Sequence, residues 1–578
     1  MLKNLPKDLD DTYSRILDSI PEMYYAELRT VLMLLSFAAR PMTIQEIAEA
    51  TAVNLEEQVF STNNRLGDPF DLLEICGSLV SLADIPHGLN SPFYAEGVLG
   101  WTENIPEDYK VIQFAHFSVK EYFQASRTQE SITASLVLSE TLSHSQITQM
   151  CLIYLLDFSG DKIVDRKQSH HSIYPFLAYS AIHWTTHLKK AKMTEQDTIE
   201  ALLIRLFNPR DETHLLNLLN LHHPRQGDMS TGPVSYSLKS FNPTLYYASL
   251  YGSYPVVRFL LASLKPDELM ADVINCALKG AVQGGHLEVL DLLLDAGANP
   301  GSAICDDIVT EAARTGNVVT VKKLIKAGAP VRLGDPYLGN ALHAACARGN
   351  LELIKLLLDC GYDINYHSER FGTPLSRALL LNDINVVRFL LQNGADVNPA
   401  VEDRLSPLET AVCHASLETC MFLLENGAQI KPSMNLLPNA ASRGGGIELM
   451  KLLLKHGADI NYIGDEYYAT PLLAAISYEE PKVLDFVLHE GANISLRNIT
   501  GSFPIDSAIS ADKPNAAERL IKLGAKFGDS ALEWAFFNSY SNDNEQLIKM
   551  LLDKGANPNA ESTEYVYFPL WYPRYSGL

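Results

Sequence analysis

Nine times between residues 287 and 559 an apolar, helix-forming run ends at a glycine. The glycines are Gly297, Gly328, Gly361, Gly394, Gly427, Gly457, Gly491, Gly524 and Gly555, and successive members lie 30 to 34 residues apart. The runs they close include LEVLDLLLDAGAN (287–299), LELIKLLLDCGYDIN (351–365), NVVRFLLQNGADVN (385–398) and QLIKMLLDKGANPN (546–559). A second signature stands upstream of most: NALHAACARGN (340–350), GTPLSRA (372–378), SPLETA (406–411), TPLLAA (470–475) and SFPIDSA (502–508). A degenerate unit, PTLYYASLYG followed by VVRFLL (243–261), precedes them. A period held over this many intervals demands an array of like units, each unable to bury its apolar face alone.

Thr or Ser before Pro offers an N-cap oxygen, followed by a residue whose missing N–H costs nothing in the first helical turn. Gly252 and Gly349 follow the short first helix, where a left-handed residue closes it. In the second helix Val289, Leu292 and Leu293 form one apolar stripe for a neighbouring unit. The nine glycines end that helix in a conformation only glycine enters cheaply. The Asp/Asn tails ADVN (395–398) and ADIN (458–461) suit turns that project as fingertips. These units resemble the ankyrin repeat, with about ten copies from Phe241 to near Asn559. The resemblance implies an α-solenoid whose extended concave surface binds other macromolecules.

The first 240 residues lack this period. A helix is expected from about Asp8 to Pro21, another over about Ala26–Ala39, and a third opened by a Thr43/Glu46 capping box. DLLEICGSLVSLAD (71–84) reads as a short helix running into a strand, VIQFAH (111–116) as a second strand, and Ser118/Glu121 as a further capping box. Three helices, a hairpin and another helix outline a winged-helix unit. LPKDLDDTYSRILDSIP (5–21), LSFAARPMTIQEIAEA (35–50), LLEICGSLV (72–80) and FAHFSVKEYF (114–123) together resemble the winged-helix segment of fungal NACHT–ankyrin proteins, which are NLR-like signal-transduction ATPases. YPFLAYSAIHWTTHLKKA (174–191) and TIEALLIRLF (198–207) resemble that family's linker. Its nucleotide-binding module would lie before Leu5, and no GxxxxGK[ST] occurs in the chain, so ATP hydrolysis does not carry over. The expected organisation is a winged-helix-like unit over 1–127, a helical linker over 128–240, ankyrin repeats over 241–560, and a C-terminal cap or tail over 561–578. The fold class is mainly α.

Charge narrows the partners. The chain carries 69 acidic and 46 basic side chains, a net charge of −23, which repels phosphate backbones and anionic lipid. Residues 1–127 alone hold 19 acidic against 9 basic groups, so DNA binding by a winged helix has the wrong sign. The longest uncharged apolar run, Val31 to Ala39, is far short of a membrane span. No secretory signal or run of basic residues is visible, and eight scattered Cys have no ligand spacing, which reads as reduced thiols of a cytoplasmic or nuclear protein.

No residue constellation points to catalysis, a cofactor or a metal. His116 beside Ser118 lacks a partnered acid, and His170–His171 and His222–His223 lack nearby ligands. His343 sits where an imidazole would bond backbone between repeats, and Cys346 and Cys360 read as small core residues. The expected function is a non-enzymatic protein-protein interaction adaptor or regulator, a transcription coregulator included, with no direct nucleic-acid or membrane partner. The alternative is the arm and sensor of an NLR-like ATP-operated switch. Binding residues are sought on the fingertips, where aromatics and Arg bury much area at low entropic cost. NYHSERFG (365–372) offers Tyr366, Arg370 and Phe371, VEDRLSP (401–407) offers Arg404, and NYIGDEYYAT (461–470) offers Tyr462, Tyr467 and Tyr468.

Overall fold

The chain folds mainly as helices, because its apolar residues recur at helical spacing while most glycines and prolines fall between those runs. The computed structural model describes residues 7–84, 110–124, 136, 138–157, 174–191, 196–221, 243–263, 271–331, 334, 337, 339–399, 406–431, 434–443, 446–464, 470–478, 480–499, 501–537 and 545–558. The expected tail 561–578, His170–His171 and His222–His223 lie outside them. Contacts divide the chain into two units, Met1–Ile308 with Lys326–Ala329, and Val309–Ile325 with Pro330–Leu578.

In the first unit the helices Lys7–Asp18, Tyr25–Phe37 and Ile44–Thr51 come first. The middle one buries Leu28, Val31, Leu32, Met33 and Leu34. Thr43 and Glu46 form the expected capping box: Thr43 Oγ1 accepts from the Glu46 N–H at 3.2 Å, and Glu46 Oε2 accepts from the Thr43 N–H at 2.8 Å. A helix at Asp71–Cys76 leads into the strand Val80–Asp84, which pairs antiparallel with Lys110–Phe114. Val80 lies opposite Phe114, Asp84 opposite Lys110, and Thr43 bridges Val111.

The next helix differs from expectation at its start. It spans Phe117–Gln124, so Ser118 lies inside it. The cap is His116, whose Nδ1 accepts from the Ser118 N–H at 3.3 Å. The Ser118 hydroxyl is instead held by His116 Nδ1 and the Tyr13 hydroxyl, each at 2.6 Å. Packing of this helix on Lys7–Asp18 brings Tyr13 to that position.

Helices Glu140–Leu156 and Phe176–Lys190 pack along each other and bury Tyr154, Phe176, Tyr179 and Trp184. Beyond them, Tyr254–Ser263 packs on Gln196–Leu206, and Pro243–Tyr251 packs closely on Ala271–Gly284. Gly280 permits that approach, since a Cβ there would sit 2.7 Å from the Tyr246 carbonyl oxygen. In Leu287–Asp295 the buried residues are Val289, Leu290 and Leu293, while Leu292 is half-buried. The stripe shifts because this helix packs both on Ala271–Gly284 and on Tyr254–Ser263, so its buried face is centred between two neighbours.

The second unit repeats one helix pair. First helices Ala341–Ala347, Pro374–Leu380, Pro407–His414, Leu436–Ala441, Pro471–Ser477, Pro504–Ser510 and Ala531–Phe537 pack each on the next in chain order. Each also packs on the second helix of its own repeat, such as Ile384–Gln392, which buries Val386, Val387 and Leu390. Thr373, Ser406 and Thr470 cap their helices as expected, their hydroxyls accepting from the Ser376, Glu409 and Leu473 N–H groups at 3.1 to 3.3 Å. All nine punctuating glycines have φ between 81° and 94°, the left-handed conformation that closes a helix.

Candidate protein-interaction site

Between one second helix and the next first helix the chain makes a finger, and its Asp/Asn pair builds it. Asp363, Asp396 and Asp459 each accept from the N–H two residues on, at 2.8 to 2.9 Å. That N–H belongs to an asparagine, whose amide then reaches the following repeat. Asn398 donates to the Gly427 carbonyl at 2.8 Å and accepts from the Gln429 N–H at 2.9 Å. Asn365 does the same with Gly394 and Asp396, and Asn461 with Gly491 and Asn493. The tails read from sequence as turn formers are therefore also clamps between repeats.

Of the seven binding residues sought on fingertips, Tyr366, Arg370, Phe371 and Tyr462 lie among the described residues; Arg404, Tyr467 and Tyr468 lie outside them. The first three share one finger, closed by paired backbone bonds between Ser368 and Gly372 at 2.9 Å. Tyr366 is half-buried: its hydroxyl donates to the Gly334 carbonyl at 3.2 Å, and its ring meets the His343 imidazole edge-on at 6.0 Å. Arg370 is exposed, and its backbone N–H donates to the Tyr337 carbonyl at 3.0 Å. Phe371 is half-buried beneath two guanidiniums, Arg377 at 4.1 Å and Arg370 at 5.2 Å from its ring centroid. Tyr462 stands on the finger after Gly457, with two fingers between.

His343 lies under this finger and joins two repeats. Its Nε2 donates to the Gly372 carbonyl at 3.0 Å, while Nδ1 accepts from the Asn340 N–H at 3.4 Å. That is the backbone role read from sequence. Burial is the main cause that pushes its pKa down to about 4, with Arg377 and His367 adding to the shift and the Gly372 carbonyl opposing it. Arg377 is also pushed down, first by burial and then by the positive charge of Arg370.

Sequence reading missed Arg377. Its signal lies in the repeats themselves, because the matching first-helix positions hold Ala344, Thr410, Ala474 and Ser507. Among the described residues no three His, Cys, Asp or Glu side chains come together to hold a metal, and no helix is long and apolar enough to cross a membrane. The Ser118 hydroxyl beside His116 has Tyr13 as its other partner, so its place is structural. Cys346 is fully buried and its thiol is pushed well up by burial, whereas Cys360 is only half-buried.

Known proteins are similar to this chain in sequence. The family model described as "Ankyrin repeats (3 copies)" matches residues 278–368, 309–401 and 408–498. The "Azaphilone pigments biosynthesis cluster protein L" of Monascus ruber is 30% identical over 309 residues, which cover 52% of this chain and 61% of that protein. The chain thus spans less than two thirds of that relative's length. The "Putative ankyrin repeat protein FPV223" of Fowlpox virus (strain NVSL) is 32% identical over 117 residues, covering 20% of this chain and 81% of that protein. Among solved structures, the human ASB11 ankyrin repeat domain is 22% identical with a TM-score of 0.30, covering 43% of this chain and 98% of that one. The periodic helix pairs with their left-handed glycines, together with a match over most of the viral protein's length, establish that the chain belongs to the ankyrin-repeat proteins.

Proposed function

We propose that this protein is a non-enzymatic adaptor or regulator that binds a protein partner through the fingers and first-helix face of its repeats. The observation that carries the reading is the finger 365–372. The helix stripes are used up in stacking, whereas Arg370 and Phe371 keep accessible surface that the repeat fold does not require. Aromatic and arginine side chains dominate binding energy at such surfaces. A regulatory role in the cytoplasm or nucleus, transcription coregulation included, fits eight free thiols and an acidic chain that disfavours direct nucleic-acid contact.

The test is affinity capture with the full chain, beside a variant carrying Tyr366→Ala, Arg370→Ala and Phe371→Ala. We expect a saturable partner that dissociates faster from the variant, because contact losses act mainly on the off-rate. A partner held equally by both places the surface elsewhere. Calorimetry with Mg-ATP should show no saturable heat at micromolar nucleotide; clear binding would overturn the non-enzymatic reading.

A second reading is favoured by the order of helices and hairpin in residues 7–124, which suits the arm of an NLR-like switch. An in-frame phosphate-binding loop in the genomic sequence upstream of Met1 would support it.

A further inference from the structure

Among the described residues, five arginines of this acidic chain are answered by a carboxylate from within it. Arg40 faces Glu46, Arg65 faces Glu49, Arg314 faces Glu311, Arg388 faces Glu418 and Arg519 faces Asp485. Arg377 is not among them. It makes no ion pair among the described residues. Its guanidinium lies 4.1 Å from the centre of the Phe371 ring, with a second guanidinium, that of Arg370, 5.2 Å from the same centre. Two like charges thus share one ring in a chain of net charge −23. The matching positions in four other repeats hold Ala or a hydroxyl residue, so stacking does not require arginine here.

We infer that Arg377, with Arg370 beside it on Phe371, receives a carboxylate of an acidic segment in the protein partner. The inference rests on the protein-binding reading above and narrows it to one ligand chemistry. A guanidinium held against a ring keeps its edge free, and that edge matches the two oxygens of a planar carboxylate. A neighbouring positive charge strengthens the attraction for an anion, and partial burial reduces screening by salt. The chain's net charge of −23 disfavours long polyanions, so the fitting ligand is a short segment with one or two Asp or Glu. Charge complementarity at one half-buried point then sets register on a surface otherwise read by its aromatics.

The experiment presents the full chain to a library of twelve-residue peptides with Asp, Glu, Asn, Gln or phosphoserine at a fixed central position. We expect enrichment of Asp and Glu peptides, and at least a tenfold loss of affinity in Arg377→Met. Arg370→Met should lose affinity by a smaller factor. Arg388→Met, which removes an arginine lying over Phe422 and paired with Glu418, should bind like the parent chain. Thermal melts establish that each variant is folded, and if Arg377→Met is not, Arg377→Gln and Arg370→Met carry the test. Equal enrichment of Asn and Gln peptides, equal loss in Arg388→Met, or no enrichment overturns the inference. Preference for phosphoserine overturns it in favour of a phosphate site. Failure here leaves the adaptor reading to be judged by affinity capture, which does not depend on peptide charge.

Discussion

The side-chain amide of Asn398 clamps the repeat that follows it, donating to the Gly427 carbonyl at 2.8 Å and accepting from the Gln429 N–H at 2.9 Å. One side chain thus satisfies two backbone groups of a helix end about thirty residues on. Asn398→Ala leaves both groups to water and should cost about 1–2 kcal/mol. Asn398→Asp keeps the acceptor but sets a carboxylate against the Gly427 carbonyl, so it should cost at least as much. Urea melts of the two variants check this. If Asn398→Asp is as stable as the parent, the donor half of the clamp contributes nothing.

His343 makes stability depend on pH. Its folded pKa, about 4, lies below its ordinary value of 6.5, with burial as the main cause. Between those values the unfolded chain binds a proton that the folded chain does not. The contribution of His343 is therefore fully present above pH 6.5 and is lost as pH falls from 6.5 towards 4. The loss is on the order of 3 kcal/mol at most. His343→Gln should flatten this part of the profile while lowering stability at pH 7.5. A profile of unchanged slope in the variant would assign the dependence to other groups.

Two kinds of glycine should respond in different ways. Gly394 and Gly457 have φ of 91° and 93°, and an added Cβ at either would meet open space. Val at either site should cost about 1–3 kcal/mol from backbone strain alone, without a packing defect. Gly280 lies inside a helix, where Ala would ordinarily stabilise by about 1 kcal/mol. There the added Cβ would press on the Tyr246 carbonyl of the neighbouring helix, so Gly280→Ala should destabilise. A rise in melting temperature for Gly280→Ala would show that the two helices can separate freely.

Arg40 and Glu46 form a bidentate pair at 2.7 and 2.9 Å, with both residues buried. Either single Ala variant strands a buried charge and should cost about 3–5 kcal/mol. Arg40→Met with Glu46→Leu removes both charges but also the Glu46 bond to the Thr43 N–H, worth about 1 kcal/mol as a helix cap. The double variant should therefore be more stable than either Ala variant. A double-mutant cycle of Arg40→Met, Glu46→Leu and the two together, followed by denaturant melts, measures the coupling. Additive losses would mean that the two charges act independently.

Much of the repeat architecture is legible residue by residue because its causes are local. The Gly period, the Thr-Pro and Ser-Pro starts and the Asp/Asn tails each act within about four residues, so sequence alone determined the units, their helix ends and the family. The same locality placed Tyr366, Arg370 and Phe371 on one finger. Tertiary structure decided what depends on partners far along the chain. It set the Asn398 clamp on Gly427, turned Ser118 towards Tyr13, and moved the buried stripe of Leu287–Asp295 onto Leu290. It also tied the Tyr366 hydroxyl to Gly334 and brought Arg377 over Phe371. These outcomes follow from which helix and which finger lie alongside, a matter of packing between units that share one sequence pattern.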